Sequence, residues 1–308
     1  MKLVTYRKVG SNILTGVVLG DQVLDISSWI ASLPITSQAE QHNMAAGMAA
    51  PQGGIMRWLQ AGSAAASTLA AHVQAQLAKA DTAFDNLNDI SLYAPVPRPG
   101  KIIGVGRNYA DHAKETGVAP FETPRIIFKM SSSIAAPGAA VTRPSGVKKM
   151  DFEAELAVVM GGYGKDVDAV GALSLVAGYT ILNDLSAREF QFDISPAQTT
   201  FAKSMDGFAP MGPYLVTPED IGDPQKLDVS CWLNGTLMQL GHTADMLFPV
   251  ATLIAYLSRF MTLEPGDVIG TGTPAGIGAF RNPPVYLQPG DHLRFEVSRV
   301  GSMEHRIA

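Results

Sequence analysis

Asp151-Phe152-Glu153-Ala154-Glu155-Leu156 runs directly into Ala157-Val158-Val159-Met160, and the reading of this stretch decides the fold. Acidic residues take every second position of the first part, and the second part is wholly apolar. Successive side chains of a strand point to opposite faces. Read as a strand, the stretch sends Phe152, Ala154 and Leu156 one way and Asp151, Glu153 and Glu155 the other. Three carboxylates then share a face at Cβ spacings of roughly 7 Å, where they repel one another unless water or a cation neutralises them. A D-x-E-x-E in isolation reads first as a solvated edge strand. The neighbouring motifs turn the reading toward a cation.

Composition limits what those carboxylates can serve. The 308 residues are 46% hydrophobic and 17% charged, as in a folded globular chain with a large core. No apolar run approaches the roughly 18 residues that span a bilayer. The opening Met1 to Lys8 enters a strand pattern with no signal-peptide apolar core, so a cytoplasmic location is expected. The one cysteine, Cys231, excludes an internal disulfide and a cysteine zinc cage and reads as a buried structural thiol. A formal net charge of −5 without a basic block argues against nucleic acid and anionic membrane as partners. An anionic substrate must therefore be attracted by local charges.

Outward from the acidic stretch, the N-terminal part reads as short strands over Lys2 to Tyr6, Ile13 to Leu19 and Gln22 to Ile26, with a Gly20-Asp21 hairpin turn. An alanine-rich helical region follows from Ala39 to Ala80, broken by Pro51 and Gly53-Gly54. His42 and His72 lack an acidic or histidine partner one helical turn away and read as surface or packing residues. Three prolines and a glycine between Tyr93 and Gly100 form a rigid extended connector. A small N-terminal α+β domain over 1–97 and a larger, mainly β domain over 98–308 are expected.

The larger domain opens on Lys101 to Gly106, a strand ending in a glycine turn. Beyond it, His112 and Glu115 are three residues apart, so on a helix they are neighbours and the carboxylate can fix the imidazole tautomer. Phe128-Lys129 ends an apolar strand from Pro124 to Met130. Gly178 to Leu182 is a strand that delivers Asp184 at its end, and Ser186 with Glu189 reads as a capping box. Arg188 and Gln191 share a helix face. Lys203 stands in apolar surroundings, where its charge is costly unless it meets an anion. The glycine-rich Asp267 to Gly278 is not followed by a helix, as a phosphate loop requires, and reads as a tight turn presenting Thr273.

Together these residues resemble the fumarylacetoacetate hydrolase superfamily, in particular its acylpyruvate hydrolase and oxaloacetate decarboxylase branch. The resemblance rests on Gly106-x-Asn108-Tyr109-x-x-His112-x-x-Glu115, Phe128-Lys129, Asp151-x-Glu153-x-Glu155-Leu156, Asn183-Asp184-x-Ser186-x-Arg188-x-x-Gln191, Lys203 and Leu263-x-Pro265-Gly266-Asp267-Val268-Ile269-x-Thr271-Gly272-Thr273-Pro274-x-Gly276-x-Gly278. It covers Arg98 to the C-terminus and implies a mixed, mainly β fold with a β-roll catalytic domain. It further implies that Glu153, Glu155 and Asp184 bind Mg²⁺ or Mn²⁺, with Ca²⁺ an occupant in crystals. Asp151 corresponds to a supporting position. His112 and Glu115 correspond to a catalytic dyad on a lid, Lys203 to a catalytic contact, and Thr273 and Gln191 to substrate contacts. Arg107 departs from the uncharged residue of many members and is either an added candidate substrate contact or a residue outside the site.

Three carboxylates with water form the oxygen shell a hard divalent cation prefers. A 2-oxo acid chelates such a cation, and the resemblance then implies C–C hydrolysis of a 2,4-dioxo, acylpyruvate-like acid through a metal-stabilised pyruvate enolate. His112 would activate water and Lys203 would steady the oxyanion. Decarboxylation of oxaloacetate, or isomerisation or hydration of a 2-oxo-alkenoic diacid, uses the same intermediate. A non-catalytic metal-binding β protein is the remote alternative. The family's pairing through the β domain implies a homodimer, with Asp228 to Phe260 as its surface.

Overall fold

The computed structural model describes residues 1–45, 54–115, 117 and 119–308, without the side chains of residues 42, 44 and 45. The His42 side chain, Pro51 and Gly53 of the sequence reading lie outside what is described, while His72 stacks on Trp29 with ring centroids 4.6 Å apart. Among the described residues the chain is mainly β. Strand Ala154–Met160 lies within a large sheet, and every one of its residues is buried. It pairs antiparallel with Val176–Asn183 on one side and Val268–Gly270 on the other. Beyond Val268–Gly270 come Ile102–Gly106, in parallel, and Arg125–Lys129. In the other direction Val176–Asn183 pairs with Ala209–Val216, which pairs with Lys2–Arg7. The N-terminal strands thus continue the same sheet, through Lys2↔Val216 and Leu3↔Leu215 and on to Leu14–Leu19 and Gln22–Asp25.

Both faces of the sheet are covered, which is why its centre reads as continuous apolar sequence. Leu156, Val158 and Met160 face a core shared with a four-stranded sheet in the order Thr236–His242, Asp228–Leu233, His292–Val297, Gly301–Arg306 and with helix Val250–Phe260. That helix buries Val250, Leu253, Ile254 and Leu257, the spacing of an apolar helical stripe. Ala157 and Val159 face a second core closed by Ile30, Trp58, Leu59, Leu69 and Val73 from the N-terminal helices. Cys231 is buried, and burial pushes its thiol well above the usual range.

Two expectations need correction. The acidic stretch is neither a solvated edge nor one unbroken strand. Met150–Asp151 pairs with Ser186–Ala187, regular pairing resumes at Ala154, and Asp151, Glu153 and Glu155 are all buried. Side chains replace the ladder at the break: Phe152 N–H donates to Asp151 Oδ1 (2.9 Å), Glu153 N–H to Asn183 Oδ1 (3.1 Å) and Ala154 N–H to Gln239 Oε1 (2.9 Å). The alternation from Asp151 therefore does not place three carboxylates on one sheet face. The capping box also fails. Ser186 sits in the short strand and its hydroxyl donates to Asp184 O, while Glu189 accepts from the N–H of Lys148.

Candidate metal centre and active site

Glu153 leaves the strand break, Glu155 lies on the strand beyond it, and Asp184 follows the paired strand Val176–Asn183. Each offers an oxygen within 4.8 Å of the others, and all three are buried. Cations surround two of them. Glu153 Oε1 accepts from Arg188 Nη2 (2.7 Å) and Glu153 Oε2 from Lys203 Nζ (2.9 Å). Asp184 Oδ1 accepts from Lys129 Nζ and Asp184 Oδ2 from Lys203 Nζ, both at 2.6 Å. Burial opposes the charge on Glu153, yet Lys203 and Arg188 outweigh it and hold the carboxyl well below the usual range.

Glu155 is different. Among the described residues its Oε2 has no hydrogen-bond partner, and the nearby Gly272 backbone N–H favours the charged form only weakly. Burial, followed by repulsion from Asp184 and Glu153, pushes this carboxyl well above its usual range. A buried oxygen without a partner costs about 1–3 kcal/mol, and a cation shared with Glu153 and Asp184 removes that cost. Oxygen-only donors suit Mg²⁺ or Mn²⁺, so the residues present fit the implied metal. Glycine makes the close approach possible, since a Cβ on Gly270 would lie 2.3 Å from Glu155 Oε2.

A second layer holds these carboxylates. Arg188 bridges Glu153 and Asp151 (Nε to Oδ2, 2.8 Å), and Asp151 also accepts the N–H groups of Gly278 and Ala279. Asn183 holds the Glu153 amide through Oδ1 and meets buried His305 Nε2 through Nδ2 at 3.1 Å. Lys129 ties Asp184 to the carbonyls of Leu185 and Lys203. For Lys129 burial lowers the pKa, whereas for Lys203 the burial effect is exceeded by Asp184 and Glu153 and the pKa is raised.

A cavity of about 190 Å³ opens above the carboxylates, lined among others by His112, Glu153, Asp184, Gln191, Lys203 and Thr273. The structure thus brings the sequence-predicted residues to one place, with Glu155 beneath the lining. His112 Nδ1 lies 3.0 Å from Glu115 Oε2, and Glu115 Oε1 accepts the Gly276 N–H at 3.0 Å. Glu115 therefore orients the ring, leaves Nε2 without a hydrogen-bond partner among the described residues, and clasps the glycine-rich loop. Gln191 Oε1 accepts from Arg188 Nη1 (2.9 Å), so its amide N–H groups remain to donate. Thr273 Oγ1 donates to Ala154 O (2.9 Å) and accepts from Gln239 Nε2 (2.7 Å). Its hydroxyl thus fastens the turn to the strand.

The model of the fumarylacetoacetate (FAA) hydrolase C-terminal family matches residues 101–308. The chain belongs to this family. It is 42% identical over 220 residues to the human mitochondrial oxaloacetate tautomerase, covering 71% of this chain and 70% of that one. Two solved members of similar fold cover 100% of this chain and 99% of their own. A maleylpyruvate hydrolase from Sphingobium, in complex with manganese(II) and pyruvate, has a TM-score of 0.77 and 28% identity. A 5-carboxymethyl-2-hydroxymuconate delta-isomerase from Mycobacterium smegmatis has a TM-score of 0.74 and 28% identity. Family relatives of this chain are thus enzymes, and the mainly β family fold spans the chain.

Sequence reading gave no role to Lys129, Arg188 or Arg125, all of which stand in or against the cavity. Lys129 carried a signal, a lysine ending an apolar strand. Arg188 carried one only in pairing with Gln191, since its partner Asp151 is 37 residues away. Among the described residues, no helix is long and apolar enough to cross a membrane.

Proposed function

We propose that this chain is a divalent-metal-dependent enzyme that hydrolyses a carbon–carbon bond of a 2,4-dioxo acid. The observation that carries the reading is a small cavity lined by two triad carboxylates and by a histidine whose Nδ1 is held on Glu115. Glu153, Glu155 and Asp184 would hold a divalent cation, which would supply Lewis acidity to a bound 2-oxo acid. His112 takes a proton from water through Nε2 as the water oxygen bonds to the distal acyl carbon. Glu115 stabilises the resulting imidazolium. The C3–C4 bond then breaks, its electron pair stays on the C3 side, and His112 returns a proton to C3. Lys203 and Gln191 present N–H donors to the developing negative charge.

Keto–enol conversion of oxaloacetate is the second reading, favoured by the 42% identity to a tautomerase. It needs the same base and no attack by water. Loss of CO₂ from oxaloacetate and isomerisation of an unsaturated diacid use the same electron sink. Turnover of acylpyruvates and oxaloacetate, measured after chelation and again with Mg²⁺ or Mn²⁺, tests the reading. Acylpyruvate cleavage restored by metal is expected. Undiminished activity in the chelated protein would end the metal-dependent reading, and metal-restored activity on oxaloacetate alone would replace hydrolysis with the second.

We also propose a homodimer. Strand Thr236–His242 is an edge of its sheet among the described residues, and Leu237, Leu240 and Phe260 are exposed large apolar side chains. Light scattering should give twice the 32.6 kDa chain mass; a monomer at micromolar concentration would refute the pairing.

A further inference from the structure

The cavity carries positive charge that the triad does not use. Arg107 and Arg125 both line it. The guanidinium carbons of both approach the same ring, Phe121, at 5.5 Å and 6.0 Å from its centroid. Among the described residues neither guanidinium has an ion pair or hydrogen bond. Burial, then the charge of Arg125, lowers the pKa of Arg107. Two like charges brought together without an acid are disfavoured, and an anion relieves the repulsion.

The backbone singles out the same place. Arg107 adopts φ 57°, in the left-handed region, a conformation that costs a non-glycine residue about 1 kcal/mol or more. Gly106 precedes it, and a Cβ there would meet Ile127 at 3.2 Å and the Arg125 side chain at 3.5 Å. The turn after strand Ile102–Gly106 thus brings Arg107 toward Arg125 on the paired strand Arg125–Lys129. The Phe121 ring restrains both guanidinium groups through cation–π contact.

Exposure sets the polarity of the cavity. Glu153, Asp184 and Lys203 are buried, Arg107 is half-buried and Arg125 is exposed. The metal-ligand end is therefore internal and the arginine end faces outward. Building on the proposed 2-oxo acid chemistry, we infer that Arg107 and Arg125 form a clamp for a second carboxylate at the far end of the substrate. The substrate class is then a 2-oxo dicarboxylate, in preference to an acylpyruvate with an alkyl tail. Guanidinium groups match carboxylates in geometry and form charge-assisted hydrogen bonds.

The test is calorimetric titration of Mn²⁺-loaded protein with pyruvate and with 2-oxoglutarate, in wild type, Arg107→Gln, Arg125→Gln and the double variant. Pyruvate reports on the metal end and 2-oxoglutarate adds the distal carboxylate. The ratio of the two Kd values is expected to shift against 2-oxoglutarate by about tenfold or more in the double variant. Arg107→Lys, which keeps the charge, should recover part of that shift. A ratio unchanged in the double variant, or equal weakening of both ligands, overturns the clamp while leaving the 2-oxo acid reading intact. If wild type binds neither ligand, the 2-oxo acid reading fails and the clamp fails with it.

Discussion

Glu155→Gln is expected to abolish metal-dependent turnover, lowering kcat by about three decades or more, while the metal-free protein keeps its fold. The carboxyl is buried, has an unpartnered Oε2, and is pushed up by burial and by Asp184 and Glu153. Because its folded pKa lies above the unfolded value of about 4.3, the folded metal-free protein holds a proton that the unfolded chain releases. Stability therefore falls as pH rises above the ordinary carboxylate range. The amide removes that loss, so at neutral pH the metal-free variant should melt at or above the wild-type temperature. Metal should reverse the order. With free metal at about 100 times its Kd, the wild type gains about 2.7 kcal/mol, a rise of roughly 4 °C for a chain of 308 residues at an unfolding entropy of about 2.1 cal/mol/K per residue. The variant should gain little. Gly270→Ala tests the site from the other strand, because its Cβ would stand 2.3 Å from Glu155 Oε2. Metal content should fall there too. Full metal occupancy in both variants would remove Glu155 from the ligand set.

His112→Ala is expected to lower kcat for acylpyruvate cleavage by about two to four decades, with metal content unchanged. In the proposed mechanism His112 carries the proton transfer, whereas Glu115 contacts the ring and the Gly276 N–H, so Glu115→Ala should cost less. Decarboxylation involves no attack by water, and the same substitutions should weigh on it mainly through proton return to carbon and closure of the loop. The two activities should therefore respond unequally within one set of variants. Acylpyruvate cleavage within a few-fold of wild type in His112→Ala would show that another group is the base.

Much of this site was legible because its spacings are local. Two glutamates at i and i+2, an aspartate just past a strand, and a His/Glu pair at i and i+3 need only strand and helix geometry to be read. What was misread depends on contacts distant in sequence. The alternation from Asp151 suggested one acidic face, but Asp151 is drawn away by Arg188 and by the amides of Gly278 and Ala279. Ser186 and Glu189 have capping-box spacing, yet Lys203 and the Lys148 amide claim them first. Gly270 looked like one more turn glycine until pairing of Val268–Gly270 with Ala154–Met160 placed it against Glu155. In the same way, nothing local in Lys2 to Tyr6 announces that Lys2 pairs with Val216 and joins the N-terminal strands to the central sheet.

Anomalous scattering from a crystal grown with Mn²⁺ tests the central claim most directly. One peak should lie within about 2.0 to 2.3 Å of a carboxylate oxygen from each of Glu153, Glu155 and Asp184. A map with no peak among these carboxylates at saturating Mn²⁺, or with the ion held elsewhere on the chain, would contradict it.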